Sequence, residues 1–186
     1  GVRRVANQTY HTPPTGHVLL DLYLPEKAPA TPLPLVVWVH GGGWSKGSKE
    51  NPPLAWLAAE GYAVASINYR LSWLARWPAQ IDDVRAALRW LRVHAAKHGL
   101  DPDRIAVAGG SAGACTSLWL AFHPDLADPA SADPIAREST RLLAAAVNGA
   151  QTTLDPQQMK EWTPNSRYGG HAFGVGAFPH FLAARE

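Results

Sequence analysis

The 186-residue chain has the length of one domain, and 46% hydrophobic against 17% charged residues describes a chain that buries a core rather than a disordered one. Its 17 Lys and Arg stand against 15 Asp and Glu, a net charge of +2 without a basic run, which excludes the charge pattern of a nucleic-acid or membrane-surface binder. The one cysteine, Cys115, excludes an internal disulfide framework and a cysteine-based zinc site, and no apolar run reaches membrane-spanning length. Gly1-Val2-Arg3-Arg4 lacks the apolar segment of a signal peptide, and composition assigns no compartment.

In chain order, Val5 to Tyr10 and His17 to Leu24 are apolar-rich runs around Thr12-Pro13-Pro14-Thr15-Gly16 and predict an opening β-hairpin. A Pro-rich turn over residues 25–34 leads to Leu35 to Val39, a β-branched apolar run expected to be a strand covered on both faces. Pro53 to Glu60 predicts a short helix and Ala63 to Tyr69 another strand. Pro78 to His98 predicts one long helix, opened by Pro78 and the acidic pair Asp82-Asp83, with Ile81, Val84, Leu88, Leu91 and Ala95 along one face. Ile105 to Ala108 is a further strand, Ala112 to about Phe122 a helix stopped by His123-Pro124, and Ala144 to Asn148 a last strand.

Strands alternating with helices imply an α/β fold: a mostly parallel sheet with helices on both faces and its chemistry at the carboxyl ends of the strands. No internal repeat or domain boundary interrupts residues 1–186. The stretch 151–186, with Gly169-Gly170, Gly174 and Gly176 among aromatics, predicts a cap-like or irregular tail over the sheet.

Two glycine-rich motifs fall at predicted strand ends. Gly109-Gly110-Ser111-Ala112-Gly113 follows one strand and opens a helix, the context in which G-x-S-x-G forms a nucleophile elbow. The serine must sit on a sharp turn, so glycines two residues to either side let strand and helix backbones approach, and the helix N-terminus favours negative charge nearby. A glycine-rich turn without chemistry is the plainer reading. His40-Gly41-Gly42-Gly43-Trp44 follows the earlier strand, where backbone N–H groups complete an oxyanion hole; the expected donors are Gly42, Gly43 and Ala112, with Trp44 as an alternative donor. His40 is expected to hold this loop by a side-chain hydrogen bond rather than to act as a base. Gly42-x4-Gly47 also has phosphate-loop spacing, but Ser48-Lys49 stands where Lys followed by Ser or Thr is required, and Pro52-Pro53 blocks the helix start.

Together the two motifs resemble those of the α/β-hydrolases of the HGGG type, the hormone-sensitive-lipase-like and feruloyl- or acetyl-esterase-like carboxylesterases. The resemblance extends over Asn68-Tyr69-Arg70-Leu71, Pro78-Ala79-Gln80-Ile81-Asp82-Asp83 and Gly99 to Ile105, and covers most of residues 15–155. It implies an α/β-hydrolase fold and hydrolysis of small carboxylic esters, acetyl or feruloyl esters of saccharides among them, through an acyl-enzyme on Ser111, without a cofactor or metal.

In the resembled family two further strands carry the acid and the histidine of the triad, and nothing after Asn148 reads as either. The sheet is therefore expected to be truncated, with about 80–100 residues missing relative to the usual single-domain size. Within the chain, Asp155 and His171 follow Ser111 in the order Ser, Asp, His, and His180 follows them. Asp155-Pro156-Gln157 also reads as a helix N-cap, and His123 lies about 18 Å along the helix from Ser111. Trp44, Trp73 and Trp77 are expected near the substrate pocket, Asp82-Asp83 to match the helix charge, Arg70 to pair with a carboxylate, and Cys115 to be a small core residue. Two other readings follow from the missing partners: a hydrolase-fold binding module without turnover, and a homo-oligomer formed through the sheet edge at Ala144 to Asn148.

Overall fold

The computed structural model describes residues 1–164. Six strands form one mixed sheet in the order β1-β2-β4-β3-β5-β6, comprising β1 (Val2–His11), β2 (Val18–Pro25), β3 (Leu33–Val39), β4 (Ala63–Ile67), β5 (Leu100–Gly110) and β6 (Ala144–Asn148). The opening hairpin is as expected: β1 and β2 run antiparallel, and β2 pairs antiparallel with β4. β3 runs parallel to β4 and β5, and β5 parallel to β6, so the carboxyl ends of β3, β5 and β6 lie side by side.

Strand periodicity sorts the side chains onto two faces. Leu20, Leu22 and Leu24 of β2, Leu35, Val37 and Val39 of β3, Ala63, Ala65 and Ile67 of β4, and Ile105 and Val107 of β5 share one core with Val84, Ala87, Leu88 and Leu91 of helix α1 (Ala79–Val93) and Leu120 of helix α3 (Ala112–Phe122). Each such leucine stabilises the fold by about 1.5–3 kcal/mol. The opposite face carries a short 3-10 helix, Ala55–Glu60, against β2 and β4; its buried Ala58 stands apart from that core. The helix expected over Pro53 to Glu60 is this tighter turn.

Two expectations are corrected. β3 alternates buried and half-buried residues, Pro34, Val36 and Trp38 being partly exposed, so only one face is fully covered. The helix expected to run unbroken to His98 divides at His94 into α1 and α2 (Ala95–His98). His94 stands at φ −97 and ψ 8, outside helical geometry; its N–H keeps the helical bond to the Trp90 carbonyl at 3.0 Å, its Nδ1 lies 2.8 Å from the same oxygen, and its imidazole stacks on the Trp90 indole.

The excursion between α3 and β6 has no regular element. Its Asp125 carboxylate accepts from the Thr140 N–H and the Ser139 hydroxyl, and Arg89 and Arg92 of α1 donate to the carbonyls of Leu126, Glu138 and Arg141. β6 ends the sheet among the described residues and is exposed throughout. Helix α4 (Pro156–Trp162) starts at Asp155, whose side chain accepts from the Gln157 N–H. Among the described residues no helix is long and apolar enough to cross a membrane.

Candidate functional site

Ser111 sits between β5 and α3 at φ 53 and ψ −118, a backbone conformation that disfavours a residue with a side chain. The surroundings over-determine it: the Ser111 N–H donates to the Asn148 carbonyl at 2.9 Å, and the Ser111 carbonyl accepts from Cys115 at 3.0 Å in the first turn of α3. A Cβ on Gly113 would collide with the Val39 carbonyl, so only glycine lets α3 lie this close to the end of β3. Ala112 opens α3, where an N–H has no intrahelical carbonyl to meet.

The loop leaving β3 folds against that turn. A Cβ built on Gly41 would be 2.8 Å from the Gly110 carbonyl oxygen and 3.5 Å from Ser111 Cβ. Gly42, at φ 110, lets the loop reverse, and its carbonyl accepts from both Ser45 and Lys46 at 3.1 Å. Gly43 and Trp44 follow at φ 60 and 57.

His40 holds the loop, as expected. Its Nδ1 lies 2.7 Å from the Gly41 carbonyl and must carry the proton, because a carbonyl only accepts. The ring stacks on Tyr69 with centroids 4.2 Å apart, and the Tyr69 hydroxyl donates to the His40 carbonyl at 2.8 Å. Burial lowers the His40 pKa and raises that of Tyr69, so both stay neutral near neutral pH.

Trp44 is not at a pocket wall. Its indole is fully buried in the core, donates from Nε1 to Thr116 Oγ1 at 3.1 Å and meets Trp77 edge-on. With a left-handed backbone, the side chain is turned inward, where burial of the ring offsets the strain. Of the three tryptophans expected near the pocket, Trp73 is the exposed one, at 70%. It borders a depression of about 200 Å³ with His17, Ser48, Asn68, Arg70 and Leu74, directly behind Gly47 of the glycine loop.

Asp83 departs from its expected role in matching helix charge. It is fully buried and takes Arg70 by Nε and Nη2, at 2.8 to 3.0 Å, as well as the Arg70 N–H. Arg70 thus has its carboxylate, and Gln80 donates to the Arg70 and Ala75 carbonyls, which fixes the segment carrying Trp73. Cys115 is half-buried one turn beyond Ser111, and burial pushes its thiol up to about 11, which keeps it protonated.

Among the triad candidates, Asp155 caps α4, and His171 and His180 lie outside the described residues; His123, set aside for its distance along the helix, stacks on Trp119 at the far end of α3. Among the described residues no group of three or more His, Cys, Asp or Glu is arranged to hold a metal ion. Reading the sequence missed Asp21, Lys49, Ser66 and Asn68, a polar group behind the glycine loop. An acid inside the apolar run Val18 to Leu24 was its one visible signal.

A sheet with parallel strands at its carboxyl-end site, one of which, β5, ends in a strained serine beside the glycine-rich loop that leaves its neighbour β3, is the architecture of the α/β-hydrolases. The family model for BD-FAE matches residues 20–165, and the chain belongs to that family. It is 37% identical over 151 residues to esterase LipQ of Mycobacterium tuberculosis, covering 77% of this chain and 35% of that protein. Carboxylesterase NlhH of the same species is 50% identical over 92 residues, covering 48% and 29%. An acetyl ester-xyloside bifunctional hydrolase from Caldicellulosiruptor lactoaceticus superposes with a TM-score of 0.68 at 28% identity, covering 74% of this chain and 50% of that one. The chain spans about a quarter to a third of the length of these curated relatives.

Proposed function

We propose that this chain carries the nucleophile half of a serine carboxylesterase site acting on small esters. Ser111 attacks the ester carbonyl as a histidine takes its proton, and the N–H groups of Gly42, Gly43 and Ala112 receive the developing oxyanion. The ester C–O bond breaks as the histidine gives that proton to the departing alcohol, and water then hydrolyses the acyl-enzyme. The observation that carries this is the strained Ser111 turn with the glycine loop in contact with it. The names of the relatives and the superposition support ester hydrolysis as the reaction.

The alcohol part of the substrate is a saccharide, and an acetyl or feruloyl group is the acyl part. The name of the C. lactoaceticus neighbour supports a sugar ester. Asp155 and His171 are the acid and base that this chain offers in the required order. A fluorophosphonate probe is expected to label the protein and to leave Ser111→Ala unlabelled; equal labelling of both ends the proposal. Turnover by the 186-residue chain that disappears in His171→Ala assigns the base and rejects the reading as a binding module without turnover, which the capping role of Asp155 favours. A second copy pairing along the exposed β6 edge is the proposed oligomer, and light scattering that shows only monomer excludes it.

A further inference from the structure

On the sheet face away from the α1/α3 core lies a buried charged group that the ester chemistry does not use. Asp21 points there from the middle of β2, between Leu20 and Leu22, and is fully buried; Lys49, just beyond the glycine loop, is 3% exposed. The Lys49 ammonium donates to Asp21 Oδ2 at 2.9 Å and to Glu50 at 2.8 Å. Asp21 also accepts from Arg4 and, at 2.7 Å, from the N–H of Asn7, which stands at φ 55 in an irregular stretch of β1. Taking two charges out of water is unfavourable unless hydrogen bonds complete their shells, so such a pair persists where it holds something in place.

What it holds is the return end of the loop. The Lys49 N–H donates to Asn68 Oδ1 at 2.7 Å and the Lys49 carbonyl accepts from the Ser66 hydroxyl at 2.7 Å, while Ser66 pairs directly with Asp21 across β2 and β4. The same stretch grips the loop twice more, through Tyr69 to the His40 carbonyl and through the Ser72 N–H to the Trp44 carbonyl at 2.8 Å. Gly47 is pressed against the His40 ring and the Gly41 carbonyl, so Lys49 lies two residues from a glycine packed against Gly41, the residue that contacts the Ser111 turn.

We propose that Lys49, buried against Asp21 and hydrogen-bonded through its backbone to Ser66 and Asn68, is a positioning residue that holds the glycine loop in register with Ser111. This rests on the reading of Gly42, Gly43 and Ala112 as oxyanion donors. An ammonium set in a carboxylate shell fixes the loop end in position and direction, whereas an apolar contact would let it slide. Loss of the anchor displaces donor amides by a fraction of an ångström, which lowers kcat while the ground-state contacts that set KM persist.

The test compares wild type with Lys49→Met and with the milder Ser66→Ala, which removes one loop bond without stranding a charge. Hydrogen exchange at the amides of residues 41–48 is followed by mass spectrometry, and p-nitrophenyl acetate hydrolysis is measured well below each melting temperature. Faster exchange confined to the loop, with kcat lower by about 10–100-fold in Lys49→Met and KM nearly unchanged, is expected. Loop exchange unchanged in both variants overturns the proposal, and so does faster exchange with kcat within about twofold of wild type. Should Lys49→Met not fold, Ser66→Ala decides alone. A wild type that neither turns over nor labels at Ser111 defeats the esterase reading instead, and the exchange comparison still decides whether Lys49 anchors the loop.

Discussion

On one face of the sheet, apolar side chains at alternate positions of β2, β3, β4 and β5 meet α1 and α3 in a core; on the other, one residue along β2 and β4, Asp21 and Ser66 meet Lys49 in a buried polar cluster. The apolar side depends on volume, because its contacts are individually weak and undirected. The polar side depends on pairing, because each group left alone retains its full desolvation penalty. One face gives the sheet its stability; the other gives the glycine loop its place.

The sharpest way to break this contrast is to strand a charge. Lys49→Met is expected to destabilise by less than the roughly 3–5 kcal/mol of a carboxylate left wholly unpaired, because Arg4 still donates to Asp21, and Lys49→Met combined with Asp21→Leu recovers part of that loss. Urea melts of the single and double variants measure the difference, and equal losses contradict a pairing-dependent face. On the apolar side, Leu88→Ala in α1 is expected to cost about 2–5 kcal/mol, with no partner substitution able to restore it except added volume.

Acid acts on a third region. Burial raises the Asp125 pKa, but the Thr140 N–H, the Ser139 hydroxyl and the Ala127 N–H outweigh it and hold the carboxyl at about 2. A carboxyl depressed in the folded state contributes stability above its unfolded value of about 3.9, and that contribution is lost as pH falls towards 2. Stability of Asp125→Asn is therefore expected to fall less steeply than wild type between about pH 5 and pH 2, as read by acid titration of the unfolding transition. The smallest effect belongs to Trp73→Ala: exposed at 70%, the indole contributes within about 0.5 kcal/mol to stability, so a large change in its melting curve contradicts its placement at the surface.

Much of this was legible along the chain. All six strands, α3 and the face of α1 carried by Ile81, Val84, Leu88 and Leu91 follow from local periodicity and from Gly and Pro signals. The serine turn was legible because its geometry demands glycine at neighbouring positions of the chain. What stayed hidden depends on partners far apart in sequence. Asp83 looked like a helix-terminal charge until Arg70 was beside it, Trp44 like a pocket wall until its indole reached Thr116 72 residues on, and Lys49 carried no role until it met Asp21 28 residues back. The sequence alone determined where strands end and where a serine and a glycine loop follow them, since those are properties of short stretches of backbone. Only the tertiary structure decided which charges are buried and which tryptophan faces solvent, because burial and pairing are set by what the folded chain brings alongside.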